Sequence, residues 1–105
     1  MKDTLITEFV NFTALETTSD EQLLSKADIF INQFMKKQDG FVDAELVKNT
    51  EGMARCFILR YQSFDKVKAI IEKLRSSEEF DAFKSVIVPG SIGVTFQQQL
   101  NSWPV

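Results

Sequence analysis

Strand-like and helix-like periodicities alternate along this chain, and their order points to an α+β fold. Stretches rich in β-branched and aromatic residues recur at 5–15, 41–48, 53–62 and 91–100. Apolar residues at helical spacing fill 20–38 and resume after Ser63. Asn49-Thr50-Glu51-Gly52 reverses the chain between the second and third strands. The order is β-α-β-β-α-β, with an extra short helix before the last strand. That is the ferredoxin-like arrangement, an antiparallel sheet with helices on one face.

Each element has its own local reason. In the first strand, LITEFVNFTAL, Ile6, Val10, Phe12 and Ala14 line one face; Leu5, Phe9, Asn11 and Leu15 line the other. Ser19 followed by Gln22 is a capping box, and Asp20 and Glu21 suit the positive end of a helix dipole. Leu23, Ala27, Phe30, Ile31, Phe34 and Met35 then form one apolar stripe, predicting a helix to about Gln38. Gly40 supplies the left-handed residue that ends it.

Strict alternation in 41–48 puts Val42, Ala44 and Leu46 on one face, with Phe41, Asp43, Glu45 and Val47 on the other. Residues 53–62, MARCFILRYQ, are the most apolar strand, which predicts a central position. Ser63 caps a second helix carrying Val67, Ile70, Ile71 and Leu74. Ser76 with Glu79 reads as the cap of the short third helix, with Phe80 and Phe83. Pro89-Gly90 is a turn into the last strand, where Ile92, Val94 and Phe96 share a face.

Composition narrows the function. A chain of 105 residues with ten phenylalanines and 26% charged residues reads as one domain, 1–105, with a real core. The net charge of −3 argues against a nucleic-acid partner. No apolar run approaches a membrane span, and MKDTLITEF does not read as a signal peptide. With a single cysteine no internal disulfide forms, and a cytoplasmic location is expected. The sequence contains no histidine, which removes His-based triads, His–zinc sites and a haem ligand. No metal or cofactor is expected.

Helices cover only one face of such a sheet, yet the first and third strands carry large apolar groups on both. A second copy of the same sheet is the simplest cover, so a homodimer through sheet faces is expected.

Three strings, in their order and spacing, carry a likeness to a known family. They are Gln38-Asp39-Gly40-Phe41 opening the second strand, Arg60-Tyr61-Gln62-Ser63 closing the third, and Phe80-Asp81-Ala82-Phe83 in the short helix. From about Thr7 to Gln98 the chain resembles the antibiotic biosynthesis monooxygenase-like (ABM) family of dimeric α/β-barrel proteins. The resemblance implies two ferredoxin-like subunits with facing sheets, each with a small pocket between sheet and helices. It implies a cofactor-independent monooxygenase acting on a small aromatic or quinol-like molecule. Haem-degrading relatives use a His ligand that this chain lacks. Their strand-one Asn is matched by Asn11, and Tyr61 stands where many relatives carry Trp.

Asn11 is the candidate donor to a substrate oxyanion, since a buried amide in an apolar strand must find a partner. Tyr61 is a candidate pocket wall and Arg60 a candidate anion partner, although adjacent strand residues point to opposite faces. A salt bridge to Asp or Glu is the competing role for Arg60. Phe30, Phe34, Phe80 and Phe83 are the candidate pocket lining, and equally what a plain core looks like. Cys56, with no base to deprotonate it, reads as a small core residue. Two other classes compete with the monooxygenase: a non-catalytic dimeric binding module for a small apolar ligand, and an isomerase or lyase on the same scaffold.

Overall fold

The computed structural model describes residues 5–105. Four strands, β1 (Ile6–Thr13), β2 (Phe41–Lys48), β3 (Ala54–Tyr61) and β4 (Gly93–Gln98), form one sheet in the order β2-β3-β1-β4. Every neighbouring pair is antiparallel. Helices α1 (Asp20–Gln33), α2 (Phe64–Leu74) and α3 (Glu78–Lys84) fill the connections. This is the ferredoxin-like α+β fold, and β3 is central as its composition predicts.

The core lies between the sheet and the helices. Ile6, Phe12, Phe57, Leu59 and Tyr61 of the sheet meet Leu23, Ala27, Phe30, Val67, Ile70 and Phe83 of the helices. Full burial of each Val, Leu, Ile or Phe among them contributes about 1.5–3 kcal/mol. Among the described residues no helix covers the opposite sheet face.

Three local expectations change. First, α1 ends at Gln33, and a 3-10 turn (Met35–Lys37) follows. Phe34 leaves helical geometry (φ −120°, ψ −64°), and Met35 enters the core fully buried. Second, the cap of α3 is Ser77, not Ser76. The Ser77 hydroxyl oxygen accepts from the Phe80 N–H at 3.1 Å, and the buried hydroxyl donates to Glu79. Third, β2 does not alternate strictly. Phe41 pairs with Tyr61 and Asp43 with Arg60, so Val42 is the extra residue of a β-bulge. Phe41 therefore joins Ala44 and Leu46 on the helix side, its ring edge-on to Tyr61 with centroids 6.0 Å apart.

The Ser19–Gln22 capping box forms in full, and Ser63 caps α2 through the Lys66 N–H. Gly40 has φ +91°, and a Cβ there would run into the Lys66 side chain. The loop into β2 thus packs directly on the first turn of α2.

Candidate functional site

The four candidate phenylalanines gather into one cluster, Phe30 and Phe83 in the buried core and Phe34 and Phe80 half-buried against it. Phe30 packs on Phe34, Phe80 and Phe83 with centroids 6.0, 5.3 and 5.8 Å apart. Phe83 also meets Phe12 and Phe57 edge-on. None of the four lines any of the cavities described below.

Asn11, Arg60 and Tyr61 do not converge. Asn11 is exposed on the uncovered sheet face, between Cys56 of β3 and Gly93 of β4. Arg60 shares that face, but four residues along β3 separate it from Cys56, about 13 Å at strand rise. Its guanidinium donates to Asp43 at 2.9 Å, the ion-pair role that competes with anion binding. Cys56 lies nearby on the same face, and burial pushes its thiol pKa up. Tyr61 lies on the other side, 1% exposed beneath the helices.

Tyr61 has a partner that strand patterning did not single out. Its hydroxyl stands 2.6 Å from Oε1 of Glu8, an acid 7% exposed on the helix side of β1. Glu8 follows Ile6 and precedes Val10 on that face, so period-two counting places it in the core. Sequence reasoning passed over it because a lone acid in a strand usually faces water. Burial raises the Glu8 pKa, and the Tyr61 hydrogen bond opposes the shift in part. Burial likewise pushes the Tyr61 hydroxyl well above its ordinary value, with the Glu8 charge adding to it. Both members of this buried pair are held away from their ordinary pKa values.

Two cavities lie near the pair, and neither has Glu8 or Tyr61 in its lining. One, of about 520 Å³, lies where β1 and β4 meet the start of α2. It is lined by Ile6, Phe64, Phe96, Ser63 and the amides Gln62, Gln97 and Gln98. Phe64 and Phe96 meet edge-to-face, centroids 5.5 Å apart. Ile6 and Phe96 are also the neighbours of Glu8, one along β1 and one directly opposite in β4. The other cavity, about 710 Å³, is a cleft between α1 and β2. Its lining is mostly apolar and includes Phe41 and Phe57, with Asp28, Asn32, Lys36 and Asp43 as its polar members.

A third polar feature is Arg55, 8% exposed at the far end of β3. It donates to Asp20 and to the carbonyls of Gly52 and Ala54, which ties the β2–β3 hairpin to the start of α1. Lys48 also pairs with Asp20, and both cations hold the Asp20 carboxyl below its usual range. Among the described residues no group of three or more His, Cys, Asp or Glu is placed to hold a metal ion. No helix of the described residues is long and apolar enough to cross a membrane.

No protein-family model matches the chain, and no curated protein sequence does. Solved structures do. A single-site mutant of SnoaB, a cofactor-independent oxygenase from Streptomyces nogalater, superposes with TM-score 0.74 at 14% identity, covering 96% of this chain and 98% of that one. The monooxygenase ActVA-Orf6 of Streptomyces coelicolor, in complex with nanaomycin D, gives TM-score 0.71 at 15% identity, with 99% and 94% covered. Rv0793 from Mycobacterium tuberculosis gives 0.68 at 17%, with 93% and 97% covered. The chain has the fold of the antibiotic biosynthesis monooxygenase-like proteins, a scaffold that the cofactor-independent oxygenase SnoaB also uses.

Proposed function

We propose that this protein is a cytoplasmic, cofactor-independent monooxygenase-like enzyme for a small aromatic or quinol-like molecule. The observation that carries this reading is the cavity beside Glu8. Its volume of about 520 Å³ suits a ligand of one to three rings. Phe64 and Phe96 offer aromatic surface to a flat substrate. The Gln62, Gln97 and Gln98 amides and the Ser63 hydroxyl can donate to phenol or quinone oxygens.

The chemistry needs no external reductant. A phenol plus O2 gives a quinone plus water: the substrate supplies the electrons, one oxygen atom enters the product and the other leaves as water. The protein's part is to bind the ring, exclude water and favour the anion that reacts with oxygen. Tyr61 lies buried beneath the helices, where its hydroxyl holds Glu8. Asn11 and Arg60 belong to the uncovered sheet face, where a second copy of the chain would bury them. That face carries Phe9, Ile58 and Val47, which fits a homodimer through sheet faces.

The test is oxygen uptake by the purified, chelator-treated protein with a panel of hydroquinones and naphthols. Expected is saturable uptake, one O2 per quinone formed. Saturable binding without uptake would leave a non-catalytic binding module; neither would overturn the reading.

A further inference from the structure

We infer that Glu8 is the group that accepts the proton from the substrate hydroxyl, with Tyr61 as its positioning residue. This inference rests on the aromatic cavity being the substrate site.

Three placements support it. Glu8 is two residues from Ile6 along β1 and directly opposite Phe96 in β4; both of those line the cavity, and Glu8, outside the lining itself, is the titratable group next to them. Only its Oε1 is engaged among the described residues, by Tyr61 at 2.6 Å, while 7% of its surface stays accessible. The rest of its surroundings is apolar. On its own strand stand Ile6 and Val10, and opposite it stand Leu59 in β3 and Phe96 in β4. Helix α2 contributes the buried Val67 and Ile70 to the core, and the cation of its first turn, Lys66, is held by Asp39. Tyr61 is therefore the one titratable group that acts on Glu8.

The chemistry follows from that setting. A base working near neutral pH needs a proton affinity close to the ambient pH, and an exposed carboxylate is too weak. Burial raises the affinity of Glu8, in a chain that has no histidine for the task. In the step itself the substrate O–H bond breaks, a carboxyl O–H bond forms on Glu8, and the electron pair stays on the substrate oxygen. The anion then reacts with O2. Tyr61 keeps donating to Oε1, which fixes the carboxylate rotamer and limits how far burial can neutralise it.

The experiment compares wild type, Glu8→Gln and Tyr61→Phe, each verified as folded by near-UV circular dichroism. With a hydroquinone substrate, Glu8→Gln is expected to lose about 100-fold or more in kcat with KM little changed. Tyr61→Phe removes a hydrogen bond that favours the carboxylate. Its acidic limb is expected to move to higher pH, with kcat at the plateau falling less than in Glu8→Gln.

A second readout does not need turnover. Bound 4-nitrophenol reports its own ionisation by absorbance. Beside the Glu8 carboxylate it should ionise at a pH higher by about half a unit or more than in Glu8→Gln, where the like charge is gone. If wild type shows no oxygen uptake but the nitrophenol midpoints differ in this way, the monooxygenase reading falls and Glu8 keeps its place as the group facing the bound hydroxyl. Coincident midpoints, turnover of Glu8→Gln within threefold of wild type, or no saturable nitrophenol binding would each overturn the inference.

Discussion

The Tyr61 hydroxyl reaches diagonally across two strands to Glu8. In the ladder Tyr61 lies opposite Ile6, yet its oxygen stands 2.6 Å from the carboxyl two residues further along β1. The bond clamps the two central strands together at one end of the core. It also provides for the polar atoms of two residues that would otherwise be costly to bury.

Stability should depend on pH through Glu8. Its folded-state pKa is raised above the ordinary 4.5, so the folded protein binds this proton more tightly than the unfolded chain. The contribution is fully present below about pH 4.5 and is lost as pH rises through the higher folded value. Denaturant midpoints measured from pH 4 to 8 should fall across that window in wild type. The same series in Glu8→Gln should be flatter.

Phe83→Ala separates core from pocket. Phe83 is 2% exposed and touches Phe12, Phe30 and Phe57. Its truncation should cost about 3–5 kcal/mol in urea unfolding. A loss of ligand affinity at unchanged stability would instead show that the cluster opens to substrate.

Arg60→Ala should be nearly silent in stability. The Arg60–Asp43 pair is exposed on both sides, and such pairs contribute about 0–1 kcal/mol. The same reasoning covers Asn11→Ala in the monomer. An effect of either substitution should therefore appear in the sedimentation coefficient at micromolar concentration rather than in the unfolding midpoint.

Ile58→Lys places a charge at the middle of the uncovered face, opposite Phe9 and Glu45. The proposed dimer should dissociate while the far-UV circular dichroism is retained. A stable dimer in this variant would move the interface elsewhere.

Gly40→Ala meets two obstacles, a left-handed backbone (φ +91°) and the Lys66 side chain. A loss of about 1–3 kcal/mol is expected, read from the thermal midpoint.

The fold was legible because its signals are local and redundant. Ser19–Gln22, Ser63 and the apolar stripe of α1 each announce an element without knowledge of its neighbours. The misreadings occur where a tertiary contact overrides a local signal. Phe34 keeps the helical spacing, yet the chain tightens there so that Met35 can be buried. Ser76 and Ser77 offer equivalent caps, and burial selects Ser77.

The site was less legible for the same reason. Asn11 was singled out as a polar residue in an apolar strand, but Glu8 fits that description better. Which of them lies inward depends on which face the helices cover, and the strand's own pattern is apolar on both. The approach of the Tyr61 hydroxyl to Glu8 spans 53 positions in the chain, and no spacing rule anticipates it.

The extra residue at Val42 divides β2 into two segments that count faces differently. From Asp43 onward the odd residues look outward; before Val42 the odd residue, Phe41, looks inward. A chain shortened by that one residue would alternate regularly, with Phe41 directly before Asp43, still opposite Tyr61 and still facing the core. What the extra residue supplies is the local bend of an edge strand, with Val42 itself exposed. A deletion here would therefore leave the surroundings of the buried acid as they are and reshape only the margin of the sheet.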